Sequence, residues 1–335
     1  MHFSPESHPT NMETGYEALR TSAAWIDYTT HGNIRVTGED AARLLHAMST
    51  NSITDLAPGN GIYAFFLTDK GRIMADACIF RVGDEFFLDT EPEGAHIIHH
   101  HLDKYIIADD ALTADESTLW FEVAIEGPDS PAAMERLGLP IPPEPLSILS
   151  AGWGYVARIS STGPLGFRVW AGEDRRLSLF NELSAALPQA TSHDAKVVRL
   201  ENGLPRFDDD FGERYLVQET RLLNAISFSK GCYLGQEIVE RIRSQGKVHR
   251  LLTPVRITGS IPPPPGAKLV AATAQAGEIT SAAYSPALGE VVALAYVRAE
   301  FLNQDHDLQI ADMDPAIRAR AIALPGRELH ETVLR

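Results

Sequence analysis

The chemically densest stretch of this 335-residue chain is KGCYLGQE, residues 230–237. It holds an amine at Lys230, a thiol at Cys232 and a carboxylate at Glu237, with Arg241 four residues further on. Glycines at 231 and 235 let the backbone turn tightly around the thiol. QEIVERIRS has apolar residues at 238, 239 and 242, which predicts a short helix after Gly235. A cysteine just ahead of a helix start and close to a lysine favours the thiolate. Two readings follow. One is a reactive or partner-facing Cys232 with a polar rim of Lys230, Glu237 and Arg241. The other is an inert cysteine on a Gly-rich turn, with Glu237 and Arg241 as an exposed helical pair worth only ~0.3 kcal/mol.

Other constellations are thinner. His96, His99, His100 and His101 cluster, and the first and third fall on one helix face. Two such histidines hold zinc only when a third ligand converges, and no HExxH pattern or nearby cysteine supplies one, so a solvated helix face and no metal are expected. No GxGxxG or GxxxxGK[ST] phosphate loop occurs, and no GxSxG nucleophile elbow.

The elements that must position these residues read as α+β. Residues 13–25 suggest a helix ending in Ala23, Ala24 and Trp25. HGNIRVTG alternates like a strand, and EDAARLLHAM carries a helical stripe at 41, 44, 45 and 48. IYAFFLTD, RIMADACIFRV and FFLDT read as strands parted by Lys70-Gly71 and Asp84-Glu85, and GAHIIHHHLDKYII reads as a helix. A second block from about 118 to 200 repeats the strands-then-helix order, with FEVAIEG, GWGYVARIS and GFRVWAG as strands. After IPPPPGAKL, five short strands at close spacing predict a small antiparallel barrel.

Composition bounds the function. Lys and Arg number 29 against 45 Asp and Glu, a net charge of −16. Coating nucleic acid is disfavoured, because that needs positive charge to displace counterions. The surplus lies wholly in residues 1–195, with 12 basic and 28 acidic side chains, whereas residues 196–250 carry 10 and 8. No run approaches the ~18 apolar residues of a membrane span. The opening residues do not read as a secretory signal, and the two distant cysteines, Cys78 and Cys232, predict a reducing, cytoplasmic setting.

The run from RFDDDFGERY through KGCYLGQEIVERIR resembles the YgfZ-type tetrahydrofolate-binding proteins, relatives of the glycine-cleavage T-protein. The hallmark Lys-Gly-Cys-Tyr/Phe-x-Gly-Gln-Glu with a following Arg is met by Lys230, Gly231, Cys232, Tyr233, Gly235, Gln236, Glu237 and Arg241. GNIRVTGEDAARLLHAMSTNSI, LENGLPR and GEITSAAYSPALGEVVALAYVR extend the likeness over most of the chain. The resemblance implies two ferredoxin-like, antiparallel-sheet lobes and a small C-terminal β-barrel in a three-lobed ring. The folate-binding region would be 1–248 and the barrel 249–335.

It also implies a folate channel lined by Tyr63, Asp76 and Arg199. Read alone, Asp76 would be a solvated strand residue and Arg199 an exposed strand arginine. T-proteins carry a Tyr-Thr-Gly-Glu-x-Gly-Phe/Tyr-Glu motif, and this chain reads STGPLGFR, with Ser161 for the Tyr and Arg168 for the final Glu. Losing that carboxylate puts aminomethyl transfer in question. The expected function is therefore a tetrahydrofolate-binding accessory protein for assembly or repair of iron–sulfur enzymes. Its partners would be assembly factors or client enzymes, and Cys232 would face the same opening as the folate. The alternative is a tetrahydrofolate-dependent aminomethyltransferase or demethylase. The basic strip RIRSQGKVHR, with Arg243 and Lys247, would attract a polyglutamyl tail or be a solvated helix end.

Overall fold

The computed structural model describes residues 14–322, apart from 247, 273, 303–307 and 315. Three sheets organise it. The first has the strand order Gly61–Leu67, Ile73–Val82, Glu85–Thr90, Gly32–Thr37 and Leu112–Asp115, all antiparallel. Helices Ala41–Met48 and Pro92–Tyr105 cover one face. Period-two alternation decides what each face does. Along Ile73–Val82, residues Ile73, Ala75, Ala77 and Ile79 enter the core. Asp76 and Cys78 take the opposite face and line an open cavity.

The second sheet runs Gln189–Ala190, Ala24–Asp27, Phe121–Glu126, Gly166–Ala171, Gly154–Ala157 and Ile148–Ala151. Its second strand corrects the sequence reading. Helix Gly15–Thr21 starts at a Thr14–Glu17 capping box and stops at Ser22, and Ala24 and Trp25 belong to the following strand. That strand pairs antiparallel with Phe121–Glu126 and parallel with Gln189–Ala190. Buried on both faces, it shows a continuous apolar run without helical or strand period. The second lobe is therefore not the contiguous block 118–200, because the N-terminal strand lies inside its sheet.

The third sheet is fully antiparallel, in the order Gln309–Ile310, Lys268–Ala271, Ala274–Ser285, Glu290–Arg298, Arg250–Ile257 and Ala319–Ala321. Leu308 and Ala319 exchange two backbone hydrogen bonds across its two edges, at 3.1 and 2.7 Å, and so close the sheet around its own core. Closure satisfies edge groups that would otherwise stay open.

Two carboxylates, buried Asp210 and half-buried Glu201, join the lobes. Asp210 accepts from Arg199 Nη1 at 2.5 Å, Thr280 Oγ1 at 2.6 Å and Ser281 Oγ at 2.5 Å, tying helix Ser192–Glu201 to the third sheet. Glu201 accepts from Tyr16 at 2.5 Å, Arg20 at 2.8 Å and Ser285 at 2.6 Å. Among the described residues no helix is long and apolar enough to cross a membrane.

Candidate functional site

The principal cavity, about 810 Å³, opens between the first sheet, the second sheet and helix Ser192–Glu201. Tyr63, Asp76 and Arg199 all line it. Tyr63 donates its phenol hydrogen to Asp76 Oδ2 at 2.5 Å, while Asp76 Oδ1 is shielded from solvent and has no partner. Burial pushes the Asp76 carboxyl up to about 7, helped by the nearby Glu91 and Asp89 and opposed by the Tyr63 hydrogen bond. An acid poised near neutrality with one free oxygen can accept from, or share a proton with, a nitrogen of a bound ring.

Arg199 is placed differently from the sequence expectation. It lies on a helix, is 5% exposed, and its guanidinium is spent on Asp209, Asp210 and the Leu204 carbonyl. It contributes to the wall while acting as a structural joint.

Beside the Asp76 pair lies a cluster that sequence reasoning missed. His31 Nδ1 is 3.6 Å from Asp89 and 3.5 Å from Glu122, and His31 Nε2 is 3.5 Å from Glu91. Arg168 Nη1 reaches Glu122 at 2.6 Å, and Arg168 Nη2 donates to Ser161 Oγ at 2.7 Å. Ser161 and Arg168, both departures from the T-protein motif, thus bond each other. Burial pushes Glu122 up to about 7, with Asp89 adding to the shift. Burial opposes ionisation of Asp89 too, but Arg168 and His31 bring it below its ordinary value. For His31 burial is outweighed by Glu91 and Glu122, which raise it. The available signal was a charge inside an apolar strand: Glu122 and Glu126 in FEVAIEG, and Asp89 in FFLDT. Glu126 shapes the adjoining loop, accepting from Ser160 Oγ at 2.7 Å and from the amides of Ser161 and Thr162 at 2.9 and 2.8 Å.

The KGCYLGQE segment stands elsewhere. Cys232 is exposed and is not part of the cavity lining, so it does not share the opening as the sequence suggested. Nor does Lys230 rim the thiol. Its ammonium donates to the carbonyls of His46, Ser49 and Asn51 at 2.5, 2.7 and 2.7 Å, in and just after the last turn of helix Ala41–Met48. Burial pushes that ammonium down to about 7, and the three carbonyls favour its charged form.

Gly235, at φ +84°, caps helix Gln236–Gln245 and packs on the Thr68–Gly71 turn, where a Cβ would lie 2.6 Å from the Thr68 oxygen. Glu237 and Arg241 are exposed on that helix, and no ion pair joins them among the described residues. Arg243 lies 3.4 Å from Glu240, while Lys247 falls outside the described residues.

In the histidine cluster, His96 and His100 stack at 6.1 Å on the exposed face, but His101 turns into the core against Phe66 and Tyr105. Core packing, invisible to a count of histidines, separates it from the other three.

These features define a protein of the glycine-cleavage T-protein class: two sheet lobes that share a cavity, followed by a closed C-terminal sheet. Residues 2–230 match the family described as the GCVT N-terminal domain, and residues 250–326 match the glycine cleavage T-protein C-terminal barrel domain. The chain belongs to this family. It is 27% identical over 302 residues to an aminomethyltransferase of Streptomyces coelicolor, covering 84% of this chain and 79% of that one. It is 27% identical over 327 residues to an aminomethyltransferase of Rubrobacter xylanophilus, covering 92% and 84%. The fold matches the glycine cleavage system aminomethyltransferase T of Bartonella henselae with a TM-score of 0.83 at 18% identity, over 92% of this chain and 87% of that one.

Proposed function

We propose that the cavity binds tetrahydrofolate or a derivative, with Tyr63 and Asp76 against the pterin and Arg199 bracing the wall. The observation that carries this reading is the unpartnered Asp76 Oδ1, held beside Tyr63 inside a cavity of ligand size. Arg158 and Lys196 also line the cavity, and neither has an ion-pair partner among the described residues. A ligand with ring N–H donors at one end and carboxylates at the other suits that charge pattern. Membership in a family with relatives named aminomethyltransferase supports a folate-dependent protein.

Within that class, the finer reading is a YgfZ-type accessory protein for iron–sulfur assembly or repair. Cys232, exposed on the Lys230-anchored loop, is then the thiol that meets an assembly factor or client enzyme. The KGCYLGQE motif and the Ser161–Arg168 pair support it. The second reading, one-carbon transfer, is favoured by the names of the relatives.

Calorimetric titration with 5-formyltetrahydrofolate tests binding, and Asp76→Ala should abolish the heat. Incubation with tetrahydrofolate and a methylamine donor, assayed for methylene-tetrahydrofolate, separates the two functions. Robust turnover would overturn the accessory role. Restored iron–sulfur enzyme activity by Cys232→Ala, in cells lacking the native protein, would refute the role of the thiol.

A further inference from the structure

One wall of the cavity has the donor set of a metal site with a protein cation already in it. His31, Asp89 and Glu122 are buried, and each offers a ligand atom within 4.8 Å of the other two. One imidazole nitrogen and two carboxylates suit a first-row divalent ion. Arg168 Nη1 stands among them, 2.6 Å from Glu122 Oε1, 3.1 Å from His31 Nδ1 and 3.7 Å from Asp89 Oδ2. The guanidinium is fixed from two further sides. Ser161 accepts from Nη2 at 2.7 Å, and the Tyr28 ring lies 4.2 Å from Cζ. The group is within reach of a ligand, because Tyr28, His31, Asp89, Ser161 and Arg168 all line the cavity.

We propose that Arg168 is a specificity-determining residue: its guanidinium is the resident cation of the His31–Asp89–Glu122 site and excludes a divalent ion or a ligand ammonium from that wall. Two buried carboxylates need a compensating positive charge. Here the chain supplies it covalently, so the wall has no demand for an exchangeable cation. Arg168 is 1% exposed and cannot swing into solvent without leaving both carboxylates to His31 alone. A ligand that enters must therefore present neutral or acceptor groups to this wall. This inference does not depend on folate binding.

Cobalt is the probe, because its visible bands report inner-sphere nitrogen and oxygen ligands. The wild-type protein, Arg168→Ala, Arg168→Lys and the double variant Arg168→Ala/His31→Ala are titrated with Co²⁺. Arg168→Ala should gain one bound Co²⁺ per chain, and the double variant should lose it. Arg168→Lys, which keeps the charge, should stay closed like the wild type. If Arg168→Ala is unfolded without metal, Co²⁺ should restore its far-UV circular dichroism, since binding to the native site is folding energy.

Three results would overturn the proposal. One is Co²⁺ uptake by the wild type that is lost in His31→Ala. Another is no uptake and no refolding in Arg168→Ala. The third is Arg168→Lys binding Co²⁺ as readily as Arg168→Ala. A parallel titration of the wild type with 5-formyltetrahydrofolate reads the folate assignment separately.

Discussion

Tyr63 and Asp76 meet diagonally across two antiparallel strands: Tyr63 stands opposite Cys78, Asp76 opposite Phe65, and the phenol bridges the offset to reach Asp76 Oδ2. A diagonal neighbour on the same face is within reach of a long aromatic side chain. The pair is thus set by register: the Thr68–Arg72 turn starts it, through Thr68 N to Arg72 O at 2.9 Å and Gly71 N to Thr68 O at 2.9 Å, and an irregularity between Phe66 and Leu67 shifts it before Tyr63 is reached.

Asp76→Asn should raise stability at pH 8 and change it little near pH 4. The folded carboxyl is raised from 3.8 to about 7, so the folded state holds the proton more tightly than the unfolded one. Ionisation therefore destabilises the native protein as pH rises through that window, and asparagine escapes it. Thermal melts of both proteins across pH 4–8 measure the widening gap. Affinity for 5-formyltetrahydrofolate should fall about tenfold or more, the loss of a charge-assisted hydrogen bond.

Arg199→Met should cost about 3–5 kcal/mol, because it leaves Asp210 buried without its counter-ion. Asp210→Ala should cost a similar amount, and the double variant less than the sum of the two. Urea unfolding measures all three. A loss of folate affinity with stability intact would show that Arg199 acts as a ligand contact and not as a joint.

Lys230→Met should destabilise by about 1–3 kcal/mol, since three carbonyls lose one shared donor. It should also speed proteolysis within residues 228–236. Lys230→Arg should recover only part of the loss, because a planar fork does not match three acceptors converging on a point.

One thiol should react quickly with a disulfide reagent in the native protein and a second far more slowly until the protein is denatured. The fast one is exposed Cys232; the slow one is Cys78, whose thiol burial and the neighbouring Asp89 and Asp76 carboxylates push well above its ordinary value. Cys232→Ser should remove the fast phase and shift stability by no more than about 0.5 kcal/mol. Mass spectrometry of the labelled peptides assigns both.

What the sequence determined by itself is local. Alternation in RIMADACIFRV and the Lys70-Gly71 turn put Asp76 on the polar face of a strand. The closely spaced strands after 250 specified a closed sheet, and apolar positions after Gly235 specified the helix behind Cys232. Each follows from a period of two or 3.6 and a turn residue, which act over a few residues.

The tertiary structure alone decided which charges meet. The Ala24–Asp27 strand enters a sheet built mostly from residues beyond 120, and so brings Tyr28 and His31 to Arg168. Asp89 and Glu122 come from different sheets and share that arginine. Arg199, at the cavity wall, is held by Asp210 from another part of the chain. In a sequence, a buried charge and a solvated one are the same letter. Only the distant partner that compensates it tells them apart, and that partner is set by strand pairing over long range, where no local period reports.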